Sequence, residues 1–175
     1  LVNTPAFETD VKFSPKGNYI SYIREQNLYV MNISTGQETA ITTQGGNDIK
    51  MGMAEFVAQE EMSRMTGYWW SPDESHIAFT KVDISDVLTI TRSEIYAESI
   101  KTIEQKYPKA GTKNAVVELG VKALNANEAT WIDINGNAAN NDDVYLARVD
   151  WMNNNTLTFQ VQSRDQKKLD LMTYS

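Results

Sequence analysis

Three pairs of adjacent acids, Glu60-Glu61, Asp73-Glu74 and Asp142-Asp143, and one imidazole, His76, are the side chains whose type and spacing could do chemistry. Two neighbouring carboxylates can share the donors of a single cation, an ammonium above all, through charge-assisted hydrogen bonds about twice as strong as neutral ones. With 23 acids in 175 residues, about three such pairs arise from composition alone. Their number therefore selects none of them. Arg64, four residues after Glu60 and three after Glu61, also offers an ordinary helix-surface ion pair. His76 lies between Ser75 and Ile77-Ala78-Phe79, the pattern of a strand leaving a turn rather than of a positioned general base.

The absence of cysteine excludes disulfides, thiolate nucleophiles and thiolate metal sites. No G-x-S-x-G elbow, Walker loop, H-E-x-x-H pair or dinucleotide glycine fingerprint occurs, so no residue of this chain is assigned a catalytic role. Asp83, Asp86, Asp142 and Asp143 lack the spacing of a calcium loop, and neither a metal nor a cofactor is expected. A net charge of −7 with no run of Lys or Arg argues against nucleic acid and anionic membrane as partners. No stretch approaches the ~20 apolar residues of a membrane span.

The elements that must position these residues follow from internal similarity. Phe13-Ser14-Pro15-Lys16-Gly17-Asn18-Tyr19-Ile20-Ser21-Tyr22 aligns with Trp70-Ser71-Pro72-Asp73-Glu74-Ser75-His76-Ile77-Ala78-Phe79, and a weaker third copy runs from Val149 to Phe159 without the proline. Pro fixes φ at a turn, Gly or Asn accepts tight geometry, and the flanking residues alternate apolar with polar, so each copy predicts a β-hairpin. Leu28–Asn32 and Thr39–Ile41 extend the first copy to a four-stranded antiparallel meander, the size of one propeller blade. The spacings from Phe13 to Trp70 and from Trp70 to Trp151 exceed the about 40–45 residues of a plain blade, so each interval carries an insertion.

The fold expected is all-β: a fragment of a β-propeller of about three four-stranded antiparallel blades, the last incomplete, with a short helical insertion and an extended hairpin arm. The boundaries are a blade over 9–45, the helical insertion over 51–66, a blade over 67–134 carrying the arm over 87–114, and an incomplete blade over 143–175. Ala, Glu, Gln and Met between Met51 and Met65 favour the helix. Blades need neighbours on both faces, so three incomplete ones predict a piece of a longer protein. Trp69, Trp70, Trp131 and Trp151, at strand ends beside turns, are expected to pack blade against blade.

Phe56-Val57-Ala58-Gln59-Glu60-Glu61-Met62, then Gly67-Tyr68-Trp69-Trp70-Ser71-Pro72-Asp73 and later Tyr107-Pro108-Lys109-Ala110-Gly111 resemble the propeller domain of the dipeptidyl peptidase IV family, of bacterial type. The likeness runs from about Asp10 to Tyr174. It implies a propeller that caps an α/β-hydrolase domain in a serine peptidase, which removes Xaa-Pro or Xaa-Ala dipeptides from free peptide amino termini. The family's paired glutamates, which grip the substrate ammonium, match Glu60 and Glu61, the substrate-binding residues assigned here.

The same resemblance implies peptide substrates with a free amino terminus, a C-terminal α/β-hydrolase domain as partner, a homodimer through arm 87–114, and a periplasmic or secreted location. Ile90, Ile95, Tyr96, Ile100, Ile103 and Tyr107 supply the arm's apolar contacts; the competing expectation is a hairpin that folds back on its own blade. Leu88 departs from a proline common near that position, which leaves the strand geometry at the arm's base open. On this reading the chain alone is inactive, because the nucleophile lies elsewhere. The rival reading is a non-enzymatic propeller scaffold that holds a protein partner, with Glu60 and Glu61 on a solvated helix.

Overall fold

The computed structural model describes residues 4–135 and 144–175. Its elements run β1 (Glu8–Phe13), β2 (Tyr19–Arg24), β3 (Asn27–Asn32), β4 (Glu38–Ala40), β5 (Ile49–Met51), α1 (Phe56–Glu60), β6 (Tyr68–Trp70) and β7 (His76–Asp83). There follow β8 (Thr89–Ile95), β9 (Ile100–Lys106), β10 (Val116–Ala123), β11 (Thr130–Ile132), β12 (Val144–Trp151), β13 (Leu157–Ser163) and β14 (Leu169–Tyr174). They form an antiparallel meander β1-β2-β3-β4, a second sheet β11-β10-β7 whose other edge is shared by β5 and β6, a third sheet β12-β13-β14, and the separate hairpin β8-β9. No described helix is long and apolar enough to cross a membrane.

The stacking of the sheets follows from β7, which is apolar on both faces. Ile77 and Phe79 point into a core shared with the first sheet, among Ile23, Leu28, Val30 and Trp70. Ala78 and Val82 point the other way, into a core built with Leu119, Leu146, Val149 and Phe159 of the second and third sheets. Period-two alternation thus serves two neighbours at once. Trp70 stacks on Tyr19 with centroids 5.7 Å apart and donates Nε1–H to Ser21 Oγ at 2.9 Å, while Trp151 donates Nε1–H to the Trp69 carbonyl at 3.1 Å. These three tryptophans join sheets. Trp131 does not: it stays 41% exposed and lies edge-on to Phe79 of its own sheet.

One turn design recurs. The Ser14 N–H donates to the Tyr19 carbonyl, Ser14 Oγ accepts the Tyr19 N–H, and Gly17 sits at φ +77°. Ser71 repeats this with His76 and with Glu74 at φ +67°. The third copy is Ser163 with Lys168 and with Gln166 at φ +59°, between β13 and β14. The hairpin expected over Val149–Phe159 also forms, β12 pairing with β13 through Trp151↔Leu157, but Met152 stands where Ser14 and Ser71 stand, and the turn uses Asn153 Oδ1, which accepts the Asn155 N–H, instead of a serine hydroxyl.

The helix within the insertion expected over 51–66 is shorter than that span. Met51 is part of β5, paired with Lys81 and 1% exposed, and the helix is confined to Phe56–Glu60. Long-range strand pairing and burial override helix propensity, which is a weak preference. The second sheet accordingly begins at Ile49 rather than at residue 67. The start of the last blade at 143 and the pair Asp142-Asp143 lie outside the described residues.

Candidate functional site

The segment bearing Glu60 and Glu61 leaves the second sheet and returns to it at a single residue. β5 pairs with β7 up to Met51↔Lys81, and β6 resumes at Tyr68↔Phe79, which leaves Thr80 between them. Thr80 holds both legs: its carbonyl accepts the Gly52 N–H at 2.7 Å, its N–H donates to the Gly67 carbonyl at 2.8 Å, and its hydroxyl donates to the Met53 carbonyl at 2.7 Å. The legs pass so closely that a Cβ on Gly67 would lie 2.4 Å from the Met53 backbone. Gly52, at φ +68°, turns the chain out of the sheet.

The excursion is tied to all three sheets. On the first, Asp10 Oδ2 accepts the Thr66 hydroxyl at 2.7 Å, and Lys12 Nζ donates to Thr66 Oγ1 and pairs with Asp10 at 3.2 Å. Burial lowers the Lys12 ammonium's affinity for its proton, and Asp10 opposes that shift. On the second it has Thr80. On the third, Arg64 Nε donates to the Leu146 carbonyl at 3.2 Å. At the base of the arm, Tyr107 meets Phe56 of α1 edge-on, with ring centroids 5.1 Å apart.

Within the excursion, Glu55 precedes the helix in extended conformation, and its carbonyl accepts the Gln59 N–H at 3.1 Å. Glu60 is the last helical residue. Glu61 is the C-cap, its N–H bonded to the Val57 carbonyl at 2.9 Å. Both glutamates are exposed, and neither side chain makes a hydrogen bond or ion pair among the described residues. The surface ion pair that spacing offered to Arg64 does not form, because α1 ends at Glu60 and the chain beyond it turns Arg64 inward. Arg64 Nη2 instead pairs with Glu55 Oε2 at 3.2 Å, both side chains being 5% exposed. Burial pushes the Glu55 carboxyl up in pKa, and the Arg64 charge holds it partly down.

Beneath the helix is a cavity of about 340 Å³, lined among others by Glu55, Phe56, Val57, Lys106, Val144 and Tyr145. Glu60 and Glu61 are not among its walls, and both are exposed. No group of three or more carboxylate or imidazole side chains among the described residues converges closely enough to hold a metal ion. His76 bonds Ser75 Oγ through Nδ1 at 2.7 Å and lies 6.3 Å from the Trp151 ring, and no carboxylate among the described residues hydrogen-bonds its imidazole.

The groups that hold the excursion are less visible in the sequence than the glutamates it carries. Thr80 could have been noticed as a hydroxyl interrupting the apolar run Ile77–Val82, with Gly52 and Gly67 bracketing the insertion. The Glu55–Arg64 pair had no such signal, since spacing made Glu60 and Glu61 equally good partners.

The family model described as "Dipeptidyl peptidase IV (DPP IV) N-terminal region" matches residues 1–175. Dipeptidyl peptidase 4 of Felis catus is 32% identical over 177 aligned positions, which cover 94% of this chain and 23% of that protein. Dipeptidyl aminopeptidase A of Saccharomyces cerevisiae is 28% identical, over 93% of this chain and 17% of that protein. The chain thus spans about a fifth of the length of these relatives. The crystal structure of Porphyromonas gingivalis dipeptidyl peptidase 4 superposes with a TM-score of 0.85 at 24% identity, over 95% of this chain and 24% of that one. That superposition identifies the three sheets as part of a β-propeller.

Proposed function

The chain belongs to the dipeptidyl peptidase IV N-terminal region family, and from that premise we propose that it is the substrate-recognition and gating segment of a serine exopeptidase releasing Xaa-Pro or Xaa-Ala dipeptides. Glu60 and Glu61 hold the free ammonium of the peptide. One observation carries this reading: two adjacent, exposed carboxylates without a partner among the described residues stand on an excursion tied to three sheets. Local folding offers no reason for them, because acids at the carboxyl end of a helix lie against its dipole rather than with it.

An ammonium carries three donors, and two fixed carboxylates can accept them together. Until it arrives the two anions repel each other. An acylated terminus brings no charge and leaves both carboxylates unpaired, so the site selects free amines. The grip also measures length, since the scissile bond lies a set distance from the amine, over a nucleophile supplied by an α/β-hydrolase domain. The arm's exposed tip, Ile95 and Ile100, is the contact of a homodimer in this reading.

Glu60→Ala and Glu61→Ala in the full-length protein are each expected to lower kcat/KM on a Gly-Pro or Ala-Pro reporter at least about tenfold, some 1.4 kcal/mol of transition-state stabilisation. Near-native hydrolysis by both variants refutes the assignment.

A further inference from the structure

The segment from Glu55 to Arg64, with Glu60 and Glu61 along it, is closed on itself at its two ends. The Arg64 N–H donates to the Ala58 carbonyl at 2.9 Å. Its guanidinium then gives each nitrogen a different partner: Nη2 to Glu55 Oε2 at 3.2 Å, Nη1 to the Thr66 carbonyl at 2.9 Å, and Nε to the Leu146 carbonyl in β12 at 3.2 Å. Among the described residues, that last contact is the one hydrogen bond from the excursion to the third sheet.

Stability is a poor explanation for this arrangement. A buried ion pair rarely outperforms apolar side chains of equal volume, and here one Glu55 oxygen, Oε1, lacks a well-formed hydrogen bond among the described residues. Direction is what a planar fork supplies and an apolar side chain does not, since three donors in one plane define a position and an orientation together.

We propose that Arg64 is a positioning residue for the Glu60-Glu61 pair, setting where the two carboxylates stand relative to the third sheet by holding Glu55, the Thr66 carbonyl and the Leu146 carbonyl at once. This rests on the ammonium-binding reading above. Arg64 touches no substrate; it acts through the backbone that carries the glutamates. An ammonium shared between two carboxylates tolerates little displacement, so a loosened segment binds the peptide amine less well.

The test uses the full-length protein and a Gly-Pro reporter. Arg64→Lys keeps the charge facing Glu55 but has one nitrogen where three are used. It is expected to fold and to lower kcat/KM about tenfold, chiefly through KM. In the Arg64→Lys background Glu60→Ala is expected to cost clearly less than it does alone, since the displaced carboxylate already contributes little. Glu55→Gln/Arg64→Met, neutral and of similar volume, is expected to match or exceed the native melting temperature and still show the raised KM. A purely structural role moves melting temperature alone, leaves KM native in both variants and makes the Arg64→Lys and Glu60→Ala effects multiply; that result overturns the proposal. Should Glu60→Ala and Glu61→Ala both leave kcat/KM unchanged, the ammonium reading fails and the positioning role falls with it. A damaging Glu60→Ala beside kinetically native Arg64 variants sinks the positioning role only.

Discussion

Thr80 donates its hydroxyl to the carbonyl oxygen of Met53 at 2.7 Å, and this bond crosses the neck of the excursion that bears Glu60 and Glu61. Thr80 is fully buried, at 0% exposure. Its backbone already bonds Gly52 on one leg and Gly67 on the other, so three consecutive functions of one residue meet both legs. The hydroxyl has a second acceptor within reach, the Gly67 carbonyl at 3.3 Å.

Thr80→Val keeps the branched shape and removes the donor. The Met53 carbonyl is then left without its hydroxyl partner, which costs about 1–3 kcal/mol. The expected outcome is a lower melting temperature than that of a variant altered at an exposed strand position. An unchanged melting temperature shows that the neck does not depend on this bond.

Gly67→Ala tests the close crossing itself. An added Cβ lies 2.4 Å from both the nitrogen and the carbonyl carbon of Met53, and backbone cannot swing away as a flexible side chain can. Overpacking of this kind costs about 1–3 kcal/mol or more. Both the melting temperature and reporter hydrolysis are expected to fall, because the displaced leg carries the glutamates with it. Native values of both exclude the crossing as drawn.

Asp73 makes stability depend on acid. Its carboxylate accepts hydrogen bonds from the Ser71 hydroxyl at 2.7 Å, the Ser75 hydroxyl at 2.7 Å and the Ser75 N–H at 3.1 Å, which hold its pKa down at about 2. A folded-state pKa below the unfolded value of roughly 3.9 means that this contribution is complete above the unfolded value. It is lost as pH falls through the folded one. Urea midpoints measured from pH 5 to 2 are expected to drop less steeply for Asp73→Asn than for the native protein. Parallel curves remove Asp73 from the acid response.

Ile95 and Ile100 face each other across the tip of the β8-β9 hairpin and are 80% and 69% exposed. Ile95→Lys with Ile100→Glu replaces the apolar contact by a cross-strand pair of opposite charge, which preserves the hairpin register. Sedimentation velocity is expected to show a dimer for the native full-length protein and a monomer for the double variant, with little change in melting temperature. A dimer that survives the substitution assigns the contact elsewhere.

Much of the fold was legible because its causes are local. Ser71-Pro72-Asp73 announces a turn through the fixed φ of proline and the side chains of Ser and Asp, and Ile77 to Val82 announces a strand buried on both faces. Ser163-Arg164-Asp165 makes the same turn as Ser71-Pro72-Asp73 without a proline, so no aromatic-Ser-Pro pattern marks it. The extent of α1 was not legible, since the tendency of Met51 to continue a helix yields to its pairing with Lys81. The partner of Arg64 was not legible either. Helical spacing pointed to Glu60 and Glu61, and the spacing argument lapses once the helix stops at Glu60.

By itself the sequence determined which segments are strands and where most of the turns fall, because alternation, proline and serine act within a few residues of themselves. Only the tertiary structure decided that the excursion leaves and rejoins the sheet at Thr80, that Arg64 turns inward to Glu55 and Leu146, and that the Glu60 and Glu61 side chains stay exposed without a partner among the described residues. Those outcomes depend on burial between sheets, where the cost of leaving a donor or a charge unpaired selects among partners that sequence spacing ranks as equal.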